Sequence, residues 1–328
     1  MTRALDQLPK AHLHVHLEGA MRPSTLADLA AQNGAPVPDV RGYRDLVDFG
    51  QRYDDAQDQI RSWDQLRRVV REFVEDDAAA GAIWTEPHVY PSVAYGARLG
   101  SPDQLLDVIV DEGQATGARL GVGFGVVVTA LRHLPLSDAL TQARLAARWS
   151  GHGVVGFGLG ADEGPFPPEP FAPAFAIARA AGLISAPHAG ELAGPASVRG
   201  ALDALRADRI EHGVRAIEDP ALVARLARDG VVLDVCPTSN LKLGAVASLD
   251  EHPLAQLLAA GVRCTLNADD PLLFGSGLLD EYELARVRLG LTDDQVAGIA
   301  RTSIQASGAP AESIADGVRG VDAWLART

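Results

Sequence analysis

Histidines and carboxylates at the ends of apolar runs are the chemically suggestive residues of this 328-residue chain. Five of its nine histidines are singled out on segments predicted to be β-strands, namely His12, His14, His16, His188 and His212. His14 and His16 are two residues apart, so on a strand they point to the same face and can bind one metal ion. Asp269 and Asp270 follow another apolar run. Imidazole and carboxylate groups are common zinc ligands, so the pattern favours a metal site.

Three imidazoles and one carboxylate would leave a coordination position open for water. A divalent cation lowers the pKa of such a water from 15.7 to about 7, which supplies a nucleophile at neutral pH. Glu191 follows His188 by three residues, and a buried carboxyl with a raised pKa at that place could act as a general acid. The structural alternatives are hydrogen-bonded core histidines, an ordinary turn before Pro271 and a helix-capping role for Glu191.

Four other histidines lack such neighbours, and we expect ordinary structural roles for His88, His133, His152 and His252.

The elements that must position these groups alternate between short β-branched runs and longer stretches of helical period, which predicts parallel βα units. The predicted strands are Ala11–His16, Ile83–Tyr90, Leu120–Thr129, Val154–Leu159, Leu183–His188, Arg209–His212, Val231–Cys236 and Val262–Asn267. The predicted helices between them are Ser101–Thr116, Ser137–Trp149, Phe171–Ala181, Pro195–Leu205, Asp219–Arg228 and Leu249–Ala260. Eight units favour an α/β fold of the (β/α)8 TIM barrel type, in which the carboxyl ends of the strands meet at one mouth. An open doubly wound sheet is the alternative, but no glycine-rich phosphate loop follows the first strand.

Two regions exceed a minimal barrel. Residues 22 to 80 lie between the first two strands and predict a helical lid over the catalytic face, including Phe49-Gly-Gln-Arg-Tyr53. Residues 278 to 326 predict extra C-terminal helices packed on the outside. All of these segments are expected to belong to a single domain spanning residues 1–328.

The amino-acid composition limits the kinds of molecule that the protein is expected to bind. The chain has 43 acidic and 29 basic residues, for a net charge of −14, which disfavours binding to nucleic acid or to an anionic membrane surface. The uncharged run Leu120 to Leu131 has twelve residues, fewer than the ~18 of a membrane helix. The N-terminus lacks the pattern of a signal peptide, and two cysteines give no disulfide framework. We therefore expect a cytoplasmic protein that acts on a small molecule.

Five ordered motifs resemble the adenosine deaminase family of the amidohydrolase superfamily along nearly the whole chain. They are Pro9-Lys-Ala-His-Leu-His14-Val-His16-Leu-Glu-Gly19, His188-Ala-Gly-Glu191, Arg209-Ile-Glu-His212-Gly213, Cys236-Pro-Thr-Ser239 and Leu266-Asn-Ala-Asp269-Asp270-Pro271. The resemblance implies a (β/α)8 barrel with one zinc ion. It also implies hydrolytic deamination of a 6-aminopurine nucleoside, which yields the 6-oxopurine and ammonia.

Carried over residue by residue, the resemblance implies that the zinc ligands are His14, His16, His188 and Asp269. Glu191 would donate a proton to purine N1, and His212 would orient the attacking hydroxide. Asp269 would also accept a proton beside His212.

The remaining implied contacts concern the rest of the substrate. Asp270 would accept a hydrogen bond from purine N7, which requires N7 to be protonated in the intermediate or the proton to be shared, and the backbone amide of Ala161 would meet N3. Glu18 would bond sugar hydroxyls, while Phe49 and Tyr53 would line the lid.

Two departures from the family pattern bear on this assignment. His12 stands where the family usually has Glu, and because it is predicted to share a strand face with His14 we expect it one layer deeper in the barrel. Gly50 stands where adenosine deaminases carry a bulky apolar residue, so the lid could admit a 5′-substituted adenosine such as aminodeoxyfutalosine. Adenine is the other substrate alternative, although Leu272-Leu-Phe-Gly-Ser-Gly277 is more similar to nucleoside-using members.

Three further hypotheses are less favoured. A two-metal amidohydrolase needs a bridging lysine at the end of the fourth strand, and Val154–Glu163 contains none. A catalytically inactive nucleoside-binding protein would have lost a ligand or Glu191. Cytidine-deaminase chemistry needs a Cys-x-x-Cys motif, which Cys236 and Cys264 cannot supply.

Overall fold

Eight parallel strands surrounded by helices make up the fold in a computed structural model that describes residues 3–91 and 98–327. The strands are β1 (Lys10–His16), β2 (Ala82–Val89), β3 (Val126–Leu131), β4 (Val154–Gly160), β5 (Ile184–Ala189), β6 (Arg209–His212), β7 (Val232–Val235) and β8 (Arg263–Leu266). They pair in this order, and the two-residue strand Gly123–Phe124 adds to β2.

The two ends of the sheet meet through backbone hydrogen bonds. The amide of His16 donates to the carbonyl of Asp269 at 2.8 Å, and the amide of Asp269 donates to the carbonyl of His14 at 3.1 Å. These bonds join β1 to the segment after β8. The result is a nearly closed (β/α)8 barrel, as predicted.

Helices cover the outside of the barrel and lie in chain order between and after the strands. They are α1 (Pro23–Gln32), α2 (Leu46–Gln57), α3 (Trp63–Ala79), α4 (Pro102–Leu120), α5 (Leu136–Trp149), α6 (Ala172–Ala180), α7 (Pro195–Gly200), α8 (Pro220–Asp229), α9 (Pro237–Lys242), α10 (Leu254–Ala259), α11 (Pro271–Phe274), α12 (Leu278–Val287), α13 (Asp293–Ala306) and α14 (Ala311–Ala326).

Two predicted boundaries are wrong for local reasons. The predicted strand from Leu120 instead begins with the end of α4, which Gly121 terminates in the left-handed conformation with φ 74°. The predicted helix Leu249–Ala260 is broken before α10, because Pro253 cannot continue an earlier turn. The helix predicted over Pro195–Leu205 has the predicted bounds, although its geometry changes from α to π at Ala201.

Both predicted additions to the barrel are helical. The first, α1 to α3, fills the interval between β1 and β2. The second, α12 to α14, packs on the barrel, where the Ser303 hydroxyl accepts a hydrogen bond from the amide of Ala11. The turn after α13 also contacts the lumen, since the amide of Gly308 donates to Glu86. Among the helices of the described residues, none has both the length and the apolar character needed to cross a membrane.

Candidate metal centre and active site

The predicted ligands converge at the carboxyl end of the strands. Nε2 of His14 and Nε2 of His16 each lie 3.3 Å from Oδ1 of Asp269. The His188 ring centroid is 4.7 Å from that of His14 and 5.4 Å from that of His16. Nε2 of His212 is 3.7 Å from the other oxygen of Asp269. Residues from β1, β5, β6 and the segment after β8 therefore share one small volume.

Two overlapping groups in this volume have the spacing needed to hold a cation. His14, His188, His212 and Asp269 each offer a ligand atom, and these atoms lie within 4.8 Å of one another. His16, Asp269 and Asp270 form a second group, so Asp269 is common to both. Nε2 of His14 and Nδ1 of His188 are buried and have no hydrogen-bond partner among the described residues. Buried polar atoms are normally paired, so these nitrogens fit a site that binds a metal ion.

Two residues of the cation cluster have a left-handed backbone conformation, which residues other than glycine rarely adopt. The φ angle is 64° at His212 and 58° at Asp269. Such conformations cost about 1–3 kcal/mol and persist where the surrounding structure holds them. Here they turn an imidazole and a carboxylate at two strand ends toward the same point.

His12 does not have the position that we predicted. Its Nδ1 lies 2.9 Å from Asp77 of α3, and its Nε2 accepts a hydrogen bond from the amide of Ala268. The pairing of β1 with β2 changes register between His12 and Val15, so strict alternation cannot be extended across this interval. His12 therefore lies between β1 and α3 instead of deeper on the face of His14.

Histidines predicted to have structural roles are consistent with that prediction where their contacts are described. Nε2 of His88 lies 3.2 Å from the carbonyl of Leu13, and its Nδ1 lies 3.1 Å from the Thr129 hydroxyl. His252 contacts the side chain of Asn240 at 3.3 Å. Their ring nitrogens have partners within the core.

Glu191 lies beside the cluster as a buried carboxyl group. Its Oε2 is 3.5 Å from Nε2 of His212, while its Oε1 is buried without a hydrogen-bond partner among the described residues. Burial and then the negative charges of Asp269 and Glu163 raise the pKa of Glu191 well above its usual range. A carboxyl group that keeps its proton near neutral pH has the property required of a general acid.

Glu163 holds the loop that carries Glu191, a role that the sequence analysis missed. Its carboxylate accepts hydrogen bonds from the amides of Gly190 at 2.7 Å, Glu191 at 2.8 Å and Leu192 at 3.1 Å. The Ser197 hydroxyl donates a fourth bond at 2.5 Å. Because these partners lie more than 25 residues from Glu163 in sequence, no local pattern indicated the contact.

Ser239 and Asn240 are two more residues without a predicted role. The Ser239 hydroxyl donates to Oδ2 of Asp269 at 2.7 Å, and the side-chain amide of Asn240 lies 3.1 Å from Nδ1 of His212. The motif Cys236-Pro-Thr-Ser239 was the available sequence signal. These contacts orient Asp269 and His212 within the site.

Asp270 points into the same volume from the segment after β8. Its Oδ1 is buried without a hydrogen-bond partner among the described residues. A Cβ atom on Gly19 would fall far inside contact distance of this oxygen, so glycine is required at that position. Burial and then the charge of Asp269 raise the pKa of Asp270 well above its usual range.

Helix α2 of the first helical addition lies beside the site, with the ring centroid of Tyr53 6.3 Å from that of His16. The hydroxyl of Tyr53 donates to Oε2 of Glu18 at 2.7 Å, and Oε1 of Glu18 is buried without a partner among the described residues. Phe49 of α2 stacks on Phe274 of α11 with 5.4 Å between ring centroids. Ala161 directly follows β4 with a φ of 75° and is exposed, as a backbone contact for a ligand requires.

A (β/α)8 barrel with imidazoles, a carboxylate and a buried carboxyl group at the mouth defines a hydrolase of the metal-dependent barrel class. The family model described as "Adenosine deaminase" matches residues 9–324, and the chain belongs to that family.

Similarity to individual proteins extends over almost the full length. A protein of Streptomyces coelicolor, provisionally named adenosine/adenine deaminase, is 46% identical, with 98% of each chain covered. An adenine deaminase of Chelativorans sp. is 40% identical, with 92% of this chain and 94% of the relative covered. The crystal structure of an adenine deaminase from Arthrobacter aurescens is similar with a TM-score of 0.90 and 29% identity, covering 97% of this chain and 99% of the other. The chain is therefore an enzyme, a hydrolytic deaminase that acts on adenine-type substrates.

Proposed function

We propose that this enzyme deaminates a 6-aminopurine nucleoside, either adenosine or an adenosine substituted at the 5′ carbon. The observation that carries the proposal is the placement of the buried Glu191 carboxyl directly beside the cluster of His14, His188, His212 and Asp269. This arrangement places a proton donor next to a site that can activate water. Hydrolytic deamination requires both.

The cation is proposed to be a single zinc ion. His14, His16, His188 and Asp269 would hold it, and His212 would remain beside it at 3.7 Å from Asp269. When bound, zinc would supply the Lewis-acid chemistry that activates water. The buried, unpartnered nitrogens of His14 and His188 support this donor set.

The chain's own residues would then carry the proton transfers. Glu191 would donate a proton to N1 of the purine, which makes C6 electrophilic. His212, held at Nδ1 by Asn240, would orient the attacking water. Asp269, oriented by Ser239, would accept a proton from that water. After oxygen adds at C6, Asp269 would pass its proton to the amino group, which departs as ammonia, and the C6 hydroxyl proton would return to Glu191 to give the 6-oxopurine.

Two further contacts would fix the purine plane. Asp270 is proposed to share a proton with N7, and its raised pKa favours the protonated carboxyl that can donate this bond. The backbone amide of Ala161 is proposed to meet N3 from the end of β4.

Glu18 supports a nucleoside rather than a free base. Among the described residues its second oxygen, which is buried, has no hydrogen-bond partner, and a sugar hydroxyl could donate to it. Phe49 and Tyr53 of α2 would line the space around the sugar, and Gly50 would leave room for a 5′ substituent. Adenine is the second candidate, favoured by the 40% identical relative that is named adenine deaminase.

The substrate is tested by following the ultraviolet change of zinc-loaded enzyme with adenosine, a 5′-substituted adenosine and adenine. We expect kcat/KM to be highest for one of the two nucleosides. A higher value for adenine would replace the nucleoside proposal with the second candidate. No turnover of any of the three would contradict the substrate class.

Glu18→Gln separates the two candidates within the same experiment. Loss of one charged hydrogen bond to a sugar should lower kcat/KM for a nucleoside by roughly 10- to 100-fold, equivalent to about 1.5–3 kcal/mol. Turnover of adenine, which has no sugar, should change much less. Equal losses with base and nucleoside would show that Glu18 does not contact the sugar.

A further inference from the structure

The carboxylate of Glu211 lies in the barrel lumen next to the proposed metal ligands. Glu211 precedes His212 in β6, and its side chain is fully buried. Its Oε2 is 2.8 Å from Nδ1 of His14, and its Oε1 is 3.4 Å from Nε2 of His88. None of the catalytic or substrate contacts described above uses this group.

The two ring nitrogens of His14 have different surroundings. Nε2 faces Asp269 within the cation cluster, whereas Nδ1 faces Glu211, the carbonyl oxygen of Asp234 at 3.2 Å and the Sγ atom of Cys236 at 3.4 Å. A neutral imidazole that binds a metal through Nε2 must carry its proton on Nδ1. The Asp234 carbonyl accepts that proton in a hydrogen bond, and Glu211 adds a full negative charge beside the same nitrogen. Both acceptors favour the tautomer that leaves Nε2 free for a cation.

Two other carboxylates of the lumen, those of Glu86 and Asp234, lie against an arginine. The guanidinium of Arg209 lies 2.7 Å from Glu86 and 3.1 Å from Asp234. Among the described residues, the basic side chains within 4.0 Å of Glu211 are the imidazoles of His14 and His88. His88 is held in place by the Leu13 carbonyl and the Thr129 hydroxyl. The charge of Glu211 is therefore available to His14.

We propose that Glu211 is a positioning residue for His14, which holds the imidazole with its proton on Nδ1 and strengthens Nε2 as a metal ligand. This role rests on the proposed function in one respect, namely that His14 binds the cation. It concerns metal affinity and not proton transfer to the substrate.

Zinc affinity of Glu211→Gln tests this role, because the substitution keeps the side-chain size and removes the charge. We expect competition with a chromophoric chelator to show zinc binding weakened by roughly 10- to 100-fold, the usual effect of losing a partner that orients a metal ligand. Glu86→Gln is the matched control, since it removes another buried lumen carboxylate that pairs with Arg209. Its zinc affinity should stay close to that of the wild type. Circular dichroism of the zinc-free proteins checks that both variants are folded.

The outcomes separate this role from the proposed function. Wild-type protein that binds zinc while Glu211→Gln binds it equally well would overturn the role of Glu211 alone. An equal loss in Glu86→Gln would overturn it too, because the effect would then be one of general lumen charge. A wild-type protein that binds no zinc would overturn the proposed metal site and the role of Glu211 together.

A second measurement does not depend on a folded variant. Long-range ¹⁵N–¹H NMR spectra of the zinc-loaded wild type report which nitrogen of each histidine carries a proton. We expect His14 to be protonated on Nδ1. Protonation on Nε2 would overturn the proposal.

Discussion

At the scale of single residues, the site depends on groups whose ordinary behaviour the fold has changed. Glu191 is an acid whose burial favours the protonated form, and the negative charges of Asp269 and Glu163 favour it further. The loop that presents Glu191 is held by four hydrogen bonds to Glu163. The protonated form of Glu191 is therefore favoured, and the backbone that presents it is held in place.

Glu191→Gln should lower kcat by roughly 10²–10⁴-fold, the usual contribution of a positioned acid, because an amide cannot donate an acidic proton. Zinc content should stay at the wild-type level, since Glu191 is not a proposed ligand. Steady-state kinetics and metal analysis of the same preparation measure both quantities. Activity retained by this variant would remove Glu191 from the mechanism.

Residue types and spacing were sufficient to predict the convergence of His14, His16, His188 and Asp269, because parallel strands in a barrel bring their carboxyl ends together. Residue types and spacing did not predict the position of His12, because its orientation depends on a register shift in β1. Contacts such as Glu211 with His14 join residues nearly 200 positions apart, and only the folded barrel shows them.

At the scale of elements, helix ends and close contacts determine details that periodicity does not. Helix α4 begins with a capping box at Ser101 and ends at Gly121, where positive φ stops it inside an apolar run that resembles a strand. The short strand that follows packs Phe124 against Gly113 of the same helix. Glycine permits this close approach, so the interface of α4 depends on it.

Gly113→Ala should destabilise the protein by about 1–3 kcal/mol, because the added Cβ would overlap the ring of Phe124. Gly298→Ala in α13 is the matched control, since that position is exposed and has no neighbouring atom within 4 Å of the added Cβ. The control should be neutral or stabilised by roughly 0.5–1 kcal/mol through helix propensity. Urea denaturation measures both free energies of unfolding. Similar values for the two variants would show that Gly113 has no packing role.

At the scale of the whole molecule, the proposed cation would connect parts of the chain that are distant in sequence. His14 and His16 lie in β1, His188 in β5, and Asp269 in the segment that closes the barrel against β1. A ligand that binds the folded state and not the unfolded chain stabilises the fold by an amount that rises with the logarithm of its affinity. The closure of the barrel and the binding of the metal should therefore be linked.

Removal of metal with a chelator should lower the free energy of unfolding, and added zinc should restore it. Free zinc at 100 times its Kd contributes about 2.7 kcal/mol, which corresponds to roughly 4 °C in Tm for a chain of this size. Differential scanning calorimetry of chelated and zinc-restored protein measures this shift.

The informative variant is Asp269→Asn, because asparagine tolerates the positive φ at this position while the carboxylate common to both ligand groups is lost. Its zinc-dependent shift should largely disappear, whereas Asp322→Asn on the exposed face of α14 should keep the full shift. An undiminished shift in Asp269→Asn would place the zinc elsewhere in the molecule and separate metal binding from closure of the barrel.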